Sequence, residues 1–236
     1  MFRRLPHNLR RPRPEDIARV SDDGTSSAAA AAESNQPATF PRTPTDVLDT
    51  IRWLQRASQH RLPNELIKMI LHNADYDCIH FLASHNTLVS RFSTGEETPL
   101  QPYLATTPLL YLPTQSSSEG GRIRRVTVRA TGKDQGWCQN REGGFWSWYE
   151  LGKNGVNGEQ QRGPVWARNA MAKKEPQDHE MVYDAERPED SSSEVKAWVE
   201  DLKNGDAVSI VPMARFKGWS CNVLKASIDV EVEVWW

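Results

Sequence analysis

The last segment of the chain sets the tightest limit on its fold. Ile228, Val230, Val232, Val234 and Trp236 alternate with Asp229, Glu231, Glu233 and Trp235. A period of two belongs to an extended strand, whose side chains point alternately to opposite faces. Such a strand needs one face covered. The pattern therefore predicts a sheet with a core on the aliphatic side and an acidic, solvated face on the other.

Other segments after Gly121 share this period. In Val126-Thr127-Val128-Arg129-Ala130 the apolar residues share one face, with Arg125 and Arg129 on the other. In Phe145-Trp146-Ser147-Trp148-Tyr149-Glu150 the two tryptophans share a face. Val165-Trp166-Ala167-Arg168 and the run through Val208, Ile210 and Val211 read as further short strands. Short strands divided by turn residues predict an antiparallel, jelly-roll-like β-sandwich over residues 122–236. One helical insertion is expected at Val195-Trp198-Val199-Leu202, capped by Ser193 and stopped at Asn204-Gly205.

Before the sandwich the apolar spacing is helical. Val47, Leu48, Ile51 and Leu54 follow Pro44 and a capping Thr45, and Leu66, Ile67, Ile70 and Leu71 follow Leu62-Pro63-Asn64-Glu65. A third helical stretch is expected through Ile79, Phe81, Leu82, Leu88 and Val89, making a helical element over residues 45–93. Residues 94–121 read as a linker or long loop. Residues 1–42 mix Arg-Pro repeats with an alanine run and read as a disordered arm. The fold class expected is thus mainly β with a small α-helical N-terminal element.

Composition narrows function by exclusion. The 236 residues carry a formal net charge of -2, so bulk charge does not suit the chain to nucleic acid or to a membrane surface. No apolar run approaches the roughly 20 residues that cross a bilayer. Met1-Phe2-Arg3-Arg4-Leu5 lacks the apolar stretch of a secretory signal. Cys78, Cys138 and Cys221 are odd in number and widely spaced, which argues against a disulfide framework and for a reducing, cytoplasmic or nuclear setting. Cys78, His80 and His85 do not match zinc spacing, and no metal or cofactor is expected. Nucleophile-elbow, Walker, zinc-protease and dinucleotide motifs are all missing, so a non-enzyme is expected. Glu150 and Asp134 are the carboxylates a glycosidase pair would draw on, a role that requires a set separation between them.

Two blocks resemble a domain recurring in fungal proteins of unassigned function. Gly132-Lys133-Asp134-Gln135-Gly136-Trp137 precedes Trp146-Ser147-Trp148-Tyr149-Glu150. Leu202-Lys203-Asn204-Gly205-Asp206 precedes Ala214-Arg215-Phe216-Lys217-Gly218-Trp219 and the closing strand. Lys133 stands where that family commonly has His. Such domains often follow an F-box-like segment, and Leu62-Pro63-Asn64-Glu65-Leu66-Ile67-Lys68-Met69-Ile70-Leu71 is similar to the first helix of an F-box, the pattern fading after Asn73. The resemblance implies docking of Leu62, Pro63, Leu66 and Ile70 to the Skp-type adaptor of a cullin ubiquitin ligase.

Tryptophan marks the binding candidates. Trp137 and Trp219 each follow a glycine in a turn context, and Trp148 shares a strand face with Trp146, where a thin sandwich does not readily bury both. A ring face beside Asp and Gln is what sugar or peptide pockets use, which nominates Trp137, Trp148, Trp219, Asp134 and Gln135. The competing reading is that the tryptophans are core and that Asp134-Gln135-Gly136 is a turn, its Asp bonding backbone amides and its Gly supplying positive φ. The functional expectation is a binding or adaptor protein recognising a protein or glycan target. The alternatives are a stand-alone carbohydrate-binding sandwich or a cryptic hydrolase.

Overall fold

The structure is a computed structural model and describes residues 43–95, 99–112, 121–136 and 144–234. The expected arm, Trp137, Cys138, Trp235 and Trp236 lie outside the described residues.

Two helices open the fold. α1 (Pro44–Ala57) is capped by Thr43, whose hydroxyl accepts from the Asp46 amide while the Asp46 carboxylate accepts from the Thr43 amide. Pro44 fills the first turn, where an amide hydrogen has no partner to lose. The cap is thus two residues earlier than the Thr45 expected. α2 (Asn64–Asn73) follows Pro63. The pair closes on a small core of Val47, Ile51, Ile67 and Leu71, with Leu54, Leu62 and Tyr76 packed on it.

The expected third helix is instead two strands, β1 (Cys78–His85) and β2 (Val89–Phe92). Both pair antiparallel with the last strand, β9 (Ser220–Glu233). Ile79, Phe81 and Ala83 alternate at a strand period, which places all three toward the main core. The sheet fold therefore starts well before Arg122. β3 (Leu104–Ala105) and the buried Tyr103, Leu109 and Leu112 also bring the expected linker into the packed body.

The remaining elements are β4 (Arg122–Lys133), β5 (Ser147–Asn154), β6 (Gln160–Arg168), β7 (Gln177–Asp184), α3 (Ser193–Glu200) and β8 (Ala207–Ala214). They form two antiparallel sheets, one ordered β1-β9-β4-β7 with β2 beside β1 on β9, the other ordered β3-β8-β5-β6. Val126, Val128, Ile228, Val230 and Val232 of the first sheet meet Tyr149, Leu151, Val208 and Ile210 of the second in one core. This is a β-sandwich, as the alternation predicts. α3 is capped by Ser192 rather than Ser193, and its Val195, Trp198 and Val199 join the same core.

The solvated face of β9 needs one correction. Asp229 and Glu233 are half-exposed, but Glu231 is buried. The cause is a β-bulge: Ile123 faces Val232 and Arg125 faces Glu231, so Arg124 is an extra residue in β4. The bulge resets the alternation, Ile123 joins the core, and Arg124 reaches the carboxylates outside it. Its guanidinium bonds Glu231, Asp77 and Asp75, which fastens the α2–β1 turn to the sheet.

Among the described residues no helix is long and apolar enough to cross a membrane.

Candidate recognition surface

Strand register places four loops at one end of the sandwich. Lys133 pairs with Asn222, Ser147 with Ala214, Trp148 with Arg168, Gly132 with Gln177, and Phe92 with Ser220. The described residues 93–95, 99–103, 134–136, 144–146, 169–176 and 215–219 adjoin these strand ends. Loops gathered at one end of a rigid sheet scaffold are where sandwich proteins carry binding groups.

Side chains pin these loops to one another. Asp134 is buried, with Oδ1 accepting from the Gly136 amide and Oδ2 from the Ala172 amide, each at 2.6 Å. Gly136 takes φ +81°, a conformation that favours glycine. Asn222 Nδ2 donates to the Asp134 carbonyl at 2.9 Å, and Asn222 Oδ1 accepts from Ser90. The Asn169 amide group donates to Ser147 Oγ and Cys221 Sγ, and Gln177 Oε1 accepts from the Ala170 amide. The 215–219 turn is held from both sides: the Arg215 amide donates to the Trp146 carbonyl at 2.9 Å, and the Gly218 amide to Ser93 at 3.2 Å.

Among the described residues of this end the exposed large apolar side chains are phenylalanines. Phe92 is 59% exposed, Phe145 56% and Phe216 47%. Phe216 sits at the turn with φ +68°, a strained conformation for an aromatic residue. Its ring meets the half-buried Trp146 edge-on, with centroids 4.8 Å apart. None of the three phenylalanines was nominated by the sequence reading. The available signal was the glycine beside or near two of them, Gly144 before Phe145 and Gly218 after Phe216.

The nominated residues divide. Asp134 lies at this end but both its oxygens bond main-chain amides, and Gln135 is half-buried next to it. Trp219 is half-buried against the inter-sheet core. Trp148 points to the outer face of the second sheet, where it packs with Val211, Met213 and Leu100. Its indole N–H donates to Glu150 Oε1 at 2.7 Å, and Arg215 stands 5.9 Å over its ring. Trp148 and Trp219 thus lie on opposite faces of one sheet and do not share a pocket. Trp137 is outside the described residues.

Glu150 is buried as well, and Arg162 grips it through Nε at 2.8 Å and Nη2 at 2.6 Å. Both carboxylates of the conceivable hydrolase pair are therefore engaged inside the protein. Cys221 is buried beneath the loop end, and burial pushes its thiol up to about 12.

The helical pair presents a second surface. Leu66 and Ile70 do not face inward. Ile67 and Leu71 do, while Leu66, Met69 and Ile70 stand 44%, 58% and 42% exposed. Leu62 is half-buried on the small core, and Pro63 is exposed. A cleft of about 450 Å³ runs between Met69 and His72 of α2 and Glu233 and Val234 at the end of β9.

A third grouping is His80, Asp229 and Glu231, whose ligand-type atoms lie within 4.8 Å of one another. His80 Nδ1 is 3.0 Å from Asp229, and Glu231 is neutralised by Arg124 with Arg125 close by. Two guanidiniums at this point oppose a bound cation.

Neither a family model nor a curated protein matches the chain.

Proposed function

We propose that the chain is a non-enzymatic recognition protein: the loop end of its sandwich binds a protein or glycan target, and its helical pair docks a second component. The observation that carries this reading is the exposure of Phe92 at the end of β2 and of Phe145 and Phe216 on loops of the same end, which internal hydrogen bonds hold in place. Large apolar side chains on a preorganised frame lose little entropy on binding and gain from leaving water. Asp134, Glu150 and Cys221 support the non-enzymatic side, because each reactive group is buried and engaged or held protonated.

The second component follows from the helical pair. Leu66, Met69 and Ile70 form an apolar face on α2 that the small core leaves uncovered. With the F-box resemblance, that face is a docking surface for a Skp-type adaptor of a cullin ubiquitin ligase, which would place the protein in the cytoplasm or nucleus. Mixing the full chain with purified adaptor tests this. Co-elution lost on Leu66→Asp with Met69→Asp supports it, and no co-elution of the intact chain refutes it.

For the target, a photo-reactive phenylalanine analogue is placed at Phe216 or at Val156, an exposed residue of the β5–β6 turn at the opposite end. The reading expects a discrete adduct from position 216 that disappears on Phe92→Ser with Phe145→Ser. Adducts from position 156 with none from 216 would move the recognition surface elsewhere.

A further inference from the structure

Among the described strands the two sheets have four edges: β1 with β2, β7, β3 and β6. A bare edge offers unpaired amides and carbonyls to any passing strand, and proteins close such edges with charge, proline, bulges, short strands or a covering helix. Three of the four are closed in these ways. β7 carries Asp178, Glu180 and Asp184. β6 carries Pro164 and shifts register twice along β5, and α3 packs against both β6 and β7. β3 is two residues long.

β1 is different. It pairs with β9 through eight unbroken positions and with no other described strand. Residues 78–90 include no Asp, Glu, Lys or Arg, in a chain that is 25% charged. Ile79, Phe81 and Ala83 are turned to the core. On the outer face Leu82 is 56% exposed, between the half-buried His80, which meets Asp229 of β9, and the exposed Ser84. The Tyr103 hydroxyl donates to the His85 carbonyl at 3.4 Å, which ends the open stretch. β2 continues this edge for four residues only and carries Arg91.

We infer that β1 is a self-association edge: it pairs antiparallel with β1 of a second copy of this chain, about a two-fold axis at Leu82, and joins the two first sheets into one. The inference concerns a surface apart from the loop end and does not depend on the recognition reading.

Two observations select a second copy as the occupant. The first is charge. An axis at Leu82 sets that leucine against its own mate and His80 against Ser84 on either side, all on the outer face. An uncharged strand thus meets itself with no like charges opposed, and two exposed leucines leave water together. The second is closure. Pairing β1 with β7 of the next copy would leave a free edge at each end and grow a filament. The β7 carboxylates and α3 stand against that joint. The same strand on both copies uses up the open edge and stops at two.

Sedimentation equilibrium of the full-length chain tests this. The chain is expected to be mainly dimeric at about 100 µM and to dissociate on dilution towards about 1 µM. Leu82→Lys with Ser84→Lys sets ammonium groups along the joint and should raise the dissociation constant at least about tenfold. Val182→Lys, at an exposed position on β7, should leave it unchanged. Thermal unfolding of each variant reports whether the fold survives. A second readout needs no added charge: a photo-reactive phenylalanine analogue at Leu82, in a mixture of isotope-labelled and unlabelled chains, should cross-link β1 of one copy to β1 of the other. A chain that stays monomeric at about 100 µM overturns the inference. So does a dimer indifferent to the paired lysines, or one weakened equally by Val182→Lys. A Leu82 cross-link that maps to β7 or to the loop end overturns it as well.

Discussion

Arg124 and Glu231 are both buried, and the guanidinium donates through Nε at 2.9 Å and Nη2 at 2.8 Å to a single oxygen, Glu231 Oε2. The same guanidinium reaches Asp77 and Asp75, so one residue at a bulge joins β4, β9 and the turn that enters β1. Removing one partner of a buried ion pair leaves the other charge desolvated and unmatched, at a cost of about 3–5 kcal/mol. Arg124→Met takes this partner from the buried Glu231 and Asp77 together and is therefore expected to destabilise by that order, whereas Glu231→Leu leaves Arg124 paired with Asp75 and Asp77 and should cost less. Arg124→Met with Glu231→Leu should cost less than the two single changes added together, because the charges leave as a pair. Urea denaturation of the four forms measures the coupling. Strict additivity would show the pair to be energetically inert.

Gly132 sets a different kind of constraint. A Cβ there would overlap both the Tyr149 hydroxyl and the Asn222 carbonyl. Tyr149 is fully buried and the carbonyl is backbone of β9, so neither yields easily. Gly132→Ala is expected to lower stability by roughly 1–3 kcal/mol through overpacking. The reading of this position fails if the alanine variant melts at the wild-type temperature.

His179 supplies a pH dependence. Burial lowers its pKa below the ordinary value, against a smaller opposing pull from Asp178. Its Nε2 lies 3.2 Å from Asn169 Oδ1, and the Asn169 amide group already donates to Ser147 and Cys221. Asn169 Oδ1 must accept, so the neutral ring donates from Nε2. On unfolding, the ring regains its ordinary pKa near 6.5. As pH falls below that value the unfolded state takes up a proton that the folded state refuses, and stability drops until the folded pKa is reached. Above about 6.5 the contribution is fully present. Urea titrations should show this loss in the wild type and a flatter profile in His179→Gln. A profile unchanged by that substitution would assign the pH dependence to other groups.

Legibility in the sequence followed the physical simplicity of each element. β9 and β4 were readable because one face is continuous aliphatic core. β7 was not: Gln177, Asp178, His179 and Glu180 give it no apolar alternation until Met181 and Tyr183. Its outward residues are instead matched across the sheet, as Arg129 with Glu180 and Thr131 with Asp178. β1 reads as helix from sequence because Ile79, Phe81 and Leu82 run on to Leu88 and Val89 in one apolar stretch, which hides the turn between two strands. Glu231 could not be read as buried, since its partner reaches it only through a bulge in a distant strand. At the candidate surface the turn role of Asp134 and Gly136 was written in the local sequence. The exposure of Phe92, Phe145 and Phe216 depended on which strand ends the topology gathers together.

The central claim is that one end of the sandwich does the recognising. Photo-crosslinking of the full chain in extract of its own cells, with the reactive phenylalanine analogue placed in turn at Phe92, Phe145, Phe216 and Val156, tests it most directly. The account predicts one shared adduct from positions 92, 145 and 216 and none of that mass from position 156. Adducts from position 156 alone, with positions 92, 145 and 216 silent, would contradict it.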